Sequence, residues 1–328
     1  MILRYKKTVE ENDKRQEGVK FIYTDFVKDY YGSIGSFDYL PESLILPMSR
    51  NRICQVFWSK PSKQDFKNAR WNIGNQFEMT LPMCALSLAM LKEMSQEVVM
   101  YTDYEGEELL KDLGYDKIYN VFDKLEVNND FWAAGKMFAL QNEPLDSILV
   151  DTDVFLYDGR LLDKACNMKI FGSHRENTEA YIKMLEFGQT YFQHLLGDAS
   201  VSTNVGLLKI GDYFKKTSFI TAYWTGLRYF SQNEDLLEMF KKEGKGTYCP
   251  DLLIEQFNFH KICNPDVLIE LPESPKDAQG FVHLLSFEKY LKLPLVLEVL
   301  KKRYPDYYGK VISKWDSINF HVEYEIDD

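Results

Sequence analysis

Apolar and polar positions along the chain alternate between two periods. Ile53-Cys54-Gln55-Val56-Phe57-Trp58 is a short apolar run closed by Ser59-Lys60-Pro61, and proline cannot continue a strand ladder. It reads as a strand. Leu81, Ala85, Leu88 and Leu91 then fall on one stripe, which predicts a helix over 81–94 with Pro82 in its first turn, where a missing N–H is harmless. A strand over 96–101, a helix over 107–113 capped by Gly114, a strand over 117–122, a helix over 131–141 and a strand over 148–156 follow. Strands and helices that alternate through short links form a mainly parallel sheet with right-handed crossovers. The pattern continues with a strand over 169–173, a helix over 179–196, a strand over 201–210, helices over 214–230, 236–242 and 250–257, an apolar run over 281–284 and a helix over 294–303. The acidic tail, 322–328, is expected to be loose.

Residues 1–50 do not join this alternation. Lys20–Tyr23 reads as a short strand and 32–36 as a glycine-serine loop. The expected organisation is an N-terminal appendage or lid over 1–50, one α/β domain over 51–290, and a C-terminal helix with an acidic tail over 291–328.

Composition narrows the partners. The 328 residues carry a net charge of −11, which argues against a nucleic-acid partner. The five cysteines are scattered and form no Cys-x-x-Cys pair, so neither a zinc site nor a disulfide framework is expected. Met1–Lys20 mixes charges without an apolar core, and no run approaches the ~18 apolar residues of a spanning helix. A cytoplasmic location is expected, with peripheral membrane contact left open. No glycine-rich phosphate loop of the dinucleotide or P-loop kind occurs.

The candidate chemistry is concentrated in Ser147–Asp158. Ile148, Leu149 and Val150 suit a strand buried on both faces; Asp151 and Asp153 follow, and Val154, Phe155 and Leu156 resume the apolar run. Core packing has no use for two acids there, and buried carboxylates are costly unless paired or metal-bound. Acids spaced i, i+2 on extended backbone point the same way, toward the cleft beyond the strand ends. Oxygen ligands of this kind suit Mg²⁺ or Mn²⁺. A solvated turn with two incidental acids is the alternative.

This stretch resembles the Asp-x-Asp motif of nucleotide-sugar glycosyltransferases of the GT-A fold. Asn204-Val205-Gly206 resembles the Asn-x-Gly strand of retaining members, those like glycogenin and the galactosyltransferases, and Glu255-Gln256 resembles their acidic-Gln segment. His283 stands where such enzymes carry a late histidine. The resemblance covers roughly 53–290 and implies a GT-A, Rossmann-like mixed sheet flanked by helices. It implies transfer from a nucleotide diphosphate sugar to a carbohydrate or lipid-linked acceptor. Asp151, Asp153 and His283 would hold Mn²⁺ or Mg²⁺, and Asn204, Glu255 and Gln256 would serve the sugar. Trp58, Ser59, Lys60, Asp103 and Lys136 would meet the nucleotide and its phosphates. Asn-x-Gly favours retention, whereas inversion needs a carboxylate base, for which Glu255 is placed. The chain departs from the family after His283: Ser286, Phe287 and Glu288 replace the usual glycine and lysine, and Lys289 is the nearest base.

Four further readings remain open. Asp251 reads as an exposed first-turn acid. His174, Arg175 and Glu176 line an acceptor or form a charged loop. A haloacid-dehalogenase-type phosphatase also carries Asp-x-Asp after a strand, though Val154 and Phe155 replace its small residues, and a catalytically silent sugar- or partner-binding relative would keep the same fold.

Overall fold

A computed structural model describes residues 2–7, 49–63, 76–176, 178–197, 199–244, 248–269, 280–285 and 288–325. The strand expected at 20–23 and the loop at 32–36 lie outside these residues. In chain order the strands are β1 (Ile2–Lys7), β2 (Ser49–Phe57), β3 (Ser95–Thr102), β4 (Lys117–Asn120), β5 (Ile148–Val150), β6 (Val154–Leu156) and β7 (Ile170–Gly172). There follow β8 (Arg175–Glu176), β9 (Ser202–Thr203), β10 (Leu207–Ile210), β11 (Asp266–Val267), β12 (Phe281–His283) and β13 (Phe320–Glu325).

The central sheet has seven strands in the order β11-β7-β10-β5-β2-β3-β4. Neighbours are parallel except at β10, which runs antiparallel to both β5 and β7. The inner strands of the sheet are buried on both faces, and their successive side chains enter opposite layers. Ile53, Val98, Ile148 and Leu207 face one core, and their neighbours Cys54, Val99, Leu149 and Leu208 face the other. Helices cover both sides, giving the mixed α/β architecture expected.

The helix Leu81–Met94 has the expected bounds but buries twelve of its fourteen residues instead of one stripe. It is sandwiched between the sheet and the helices Leu293–Arg303 and Pro305–Ser317, so it is apolar all round. On the other face lie the helices Ala134–Asn142, Glu179–Leu196 and Tyr213–Gln232.

Three expectations change; one is the strand over 201–210, which is two strands, β9 paired with β8 and β10 in the central sheet. The tail is not loose over its first part: Phe320–Glu325 pairs antiparallel with Ile2–Lys7, from Ile2 opposite Glu325 to Lys7 opposite Phe320. The expected strand over 148–156 is two short strands in different sheets. β5 lies in the central sheet, and β6 pairs antiparallel with β12, setting Val154 opposite His283.

Candidate active site

The break between β5 and β6 creates the site. Asp151 to Val154 form a turn in which Val154 N donates to Asp151 O at 3.1 Å. Asp151 N donates to Gly206 O at 2.7 Å, and Leu284 N donates to Asp153 O at 3.1 Å. The carboxylates are therefore gathered by a tethered turn, not by alternation along an extended strand, which corrects the expected geometry.

Pairing of β12 with β6 carries His283 to the same place. One ligand atom each from Asp151, Asp153 and His283 lies within 4.8 Å of the others. His283 is 4% exposed. Its Nε2 is 3.6 Å from Asp153 Oδ1, long for a hydrogen bond. Its Nδ1 is buried with no hydrogen-bond partner among the described residues. A core histidine would be satisfied by a carbonyl; this ring instead turns one nitrogen toward two carboxylates. Two oxygen donors and an imidazole make a donor set that fits Mn²⁺ well.

Gly206 makes room for that ring. A Cβ there would lie 2.4 Å from His283 Cε1 and 2.9 Å from Nδ1, closer than real side chains approach. The glycine of the Asn-x-Gly stretch thus admits the histidine to the acid turn. Asn204 supports the same geometry, because its Oδ1 accepts from Gly206 N at 2.8 Å and from Ser173 Oγ at 2.9 Å.

Two lysines balance the acids. Lys136 Nζ lies 2.9 Å from Asp151 Oδ1 and 3.2 Å from Glu255 Oε1, and donates to Val205 O at 3.3 Å. Burial would lower its pKa, but the charges of Asp151 and Glu255 outweigh burial and hold it raised. Lys289 Nζ lies 3.2 Å from Asp153 Oδ2. Burial would raise the Asp153 pKa; Lys289 and His283 overcome it and hold the carboxyl well below its usual range. Asp153 is thus kept ionised, as metal ligation requires.

A cleft of about 130 Å³ opens over this cluster. Asp151, Thr152, Asp153, Lys136 and Lys289 line its charged floor, with Phe57, Trp58 and Trp132 among its aromatic walls. Of the residues expected to meet a nucleotide, Trp58 and Lys136 reach the cleft. Ser59, Lys60 and Asp103 do not line it. Asp103 is 5% exposed and caps the helix Tyr104–Leu110 by accepting from Gly106 N at 2.9 Å. Its other oxygen accepts from Ser59 N at 3.0 Å and Ser59 Oγ at 2.7 Å. Lys60 Nζ donates to Val127 O at 3.3 Å. Ser59 and Asp103 brace the loop that carries Trp58.

The expected sugar contacts sit behind the floor and do not line the cleft. Asn204 is 2% exposed; besides its two Oδ1 bonds, its Nδ2 donates to Glu176 Oε1 at 3.1 Å. Its amide is engaged inside the protein, away from the lining of the cleft. Glu176 and His174 are also buried and joined at 3.1 Å, while Arg175 Nη1 donates to Thr203 Oγ1 at 2.7 Å; none forms an open charged loop. Leu253–Phe257 is a single π-helical stretch, a departure from the α-helix that recurs at functional sites. From it Glu255 meets Lys136, and Gln256 accepts from Ser202 Oγ at 3.1 Å. Asp251 is not an exposed first-turn acid. It is fully buried and accepts from Ala133 N and Tyr223 OH, both at 2.7 Å, fixing the start of the helix that carries Lys136.

The sequence pattern does not single out Trp132, and it assigns Lys289 no role. The available signal for Lys289 was its place as the first base after His283.

None of the five cysteines is in a disulfide, and no helix among the described residues is long and apolar enough to cross a membrane. No curated protein matches the sequence. The structure is similar to that of the bifunctional glycosyltransferase WbbM, at 9% identity and a TM-score of 0.38, over 76% of this chain and 44% of that one. It is similar to the galactosyltransferase LgtC solved with donor and acceptor sugar analogues, at 12% identity and a TM-score of 0.32, over 56% and 65%. It is also similar to the glycosyltransferase GlyE of Streptococcus pneumoniae, at 10% identity and a TM-score of 0.38, over 82% and 64%. This chain thus spans less than two thirds of the length of each of these proteins. Residues 51–314 match a described sequence family. Because that match takes in most of the 328 residues, the chain belongs to this family, one of unknown function (DUF6734).

Proposed function

We propose that the protein is a metal-dependent glycosyltransferase using a nucleotide diphosphate sugar. The observation that carries this reading is the convergence of Asp151, Asp153 and His283 within 4.8 Å beneath a cleft flanked by two lysines and two tryptophans. Asp151, Asp153 and His283 would hold Mn²⁺ or Mg²⁺, with Mn²⁺ preferred for the imidazole. Such an ion, when bound, offsets negative charge on a leaving diphosphate and acts as a Lewis acid.

The remaining steps belong to this chain's own residues. Charge favours an anionic ligand there. The acids Asp151, Asp153 and Glu255 against Lys136 and Lys289 leave one negative charge, which a divalent cation turns into one positive charge. The Lys289 and Lys136 ammoniums then meet phosphate oxygens. Trp58 and Trp132 line the cleft, and Trp132, the more exposed of the two, offers a face on which a base or sugar ring stacks. Glu255 and Gln256 fix the floor on which the donor sugar rests. Retention accords better than inversion, because Glu255 is already bound to Lys136 and is not free to take a proton from an acceptor hydroxyl. The acceptor is a carbohydrate or a lipid-linked glycan.

A donor screen tests this. With Mn²⁺ present, one of the UDP, GDP or dTDP sugars should raise the melting temperature, since a ligand bound only by the native state stabilises it by RT ln(1 + [L]/Kd). The shift should vanish with EDTA. Stabilisation by none of them, or equally with EDTA, would count against the proposal.

A further inference from the structure

Two fully buried polar side chains lie directly beneath the acid turn, and neither is explained by packing. Gln55 of β2 and Ser87 of the helix Leu81–Met94 are 0% exposed. Ser87 is set in an otherwise almost wholly apolar buried helix. Burying polar groups is costly unless each finds a partner, and the partners here form a chain. Tyr115 OH donates to Gln55 Oε1 at 2.9 Å. Gln55 Nε2 donates to Ser87 Oγ at 2.8 Å, and Ser87 Oγ donates to Val154 O at 2.6 Å. Gln55 Nε2 also approaches Asp151 O at 3.5 Å. The relay therefore ends on the two carbonyls that bound the acid turn.

We infer that the Tyr115–Gln55–Ser87 relay is a positioning device for the metal ligands. It fixes the backbone of 151–154 from below, so that Asp151 and Asp153 are held at one spacing before any cation arrives. The inference rests on the metal reading of the previous subsection. None of the three side chains touches the cation or the reactants; they act through the turn. Outer partners that orient metal ligands are worth a measurable share of affinity, and ligands left without them bind less well.

The test is the binding of Mn²⁺ alone, followed by the EPR signal of free and bound ion well below the melting temperature. The variants are Ser87→Ala, which keeps the helix and frees Val154 O, and Tyr115→Phe, which removes the distant hydroxyl and guards against a folding failure of the first. Both should weaken Mn²⁺ binding, Ser87→Ala by roughly 10-fold, and broaden the bound-ion spectrum as ligand spacing becomes heterogeneous. If either folded variant shows this while the other does not fold, the inference stands. If the folded variants bind Mn²⁺ within about twofold of wild type with an unchanged spectrum, the relay is only structural and the inference is overturned, whatever happens to the melting temperature. If wild type itself binds no Mn²⁺, the metal reading fails and takes the inference with it.

Discussion

Asp153→Asn should remove metal binding while leaving a folded protein. The substitution keeps shape but deletes one of two anionic ligands, so Mn²⁺ affinity should fall by at least about 100-fold, the upper end of what losing even an outer partner costs. Stability should fall too, because Asp153 is the carboxylate 3.2 Å from buried Lys289; with Asn still able to accept a hydrogen bond, the loss should be about 1–3 kcal/mol. The pH dependence follows from the sign of the Asp153 shift. Its folded pKa is depressed by Lys289 and His283 against the opposing effect of burial. Its contribution is therefore complete above its unfolded value of about 3.9 and is lost as pH falls toward the lower folded value. Wild type should lose stability through that acid window, and Asp153→Asn should lose less. Mn²⁺ titrations and urea melts at several acid pH values check both halves; an unchanged Mn²⁺ affinity would remove Asp153 from the ligand set.

Lys136→Met should be the most destabilising single change in the site. The side chain is 11% exposed and lies between Asp151 and Glu255, of which Glu255 is 3% exposed. Methionine keeps the stem but strands the Glu255 carboxylate, and breaking a buried ion pair from one side costs about 3–5 kcal/mol. Adding Glu255→Gln to Lys136→Met removes the stranded charge and should recover part of the loss, a coupling that a double-mutant cycle reads directly. The raised Lys136 pKa gives the opposite pH sense to Asp153. Its contribution is present below the unfolded value of about 10.4 and is lost only as pH rises through the higher folded value. Urea unfolding of the four proteins of the cycle is the measurement. A Lys136→Met loss under about 1 kcal/mol, or strict additivity of the two changes, would show that this pair does not hold the floor of the cleft.

The layers of the fold were legible because local signals agreed with tertiary ones. Leu81–Met94 and Glu179–Leu196 have the expected bounds, and β2 and β3 fall within a few residues of theirs. The acid turn was legible as chemistry but not as geometry. Val154-Phe155-Leu156 resumes the apolar run, so nothing local reveals that the chain leaves the central sheet; β6 is defined by β12, more than a hundred residues later. The same separation hid β13, whose partner β1 lies at the other end of the chain. Asp251 was misread because its partners, Ala133 and Tyr223, come from two distant helices. The π-helical Leu253–Phe257 also escapes a pattern that assumes 3.6 residues per turn. Asn204-Val205-Gly206 was recognised as significant, yet its glycine serves the His283 ring. Gln55 carried a signal in advance, as a polar side chain inside the apolar strand Ile53–Trp58.

The central claim is that the cleft breaks a nucleotide diphosphate sugar at a metal held by Asp151, Asp153 and His283. Release of nucleoside diphosphate from a panel of nucleotide sugars, followed with Mn²⁺, with EDTA and in Asp153→Asn, measures it most directly. Slow release from one donor class with Mn²⁺, abolished both by EDTA and by Asp153→Asn, is the predicted result. No release from any donor, or cleavage of a simple phosphomonoester in its place, would contradict it.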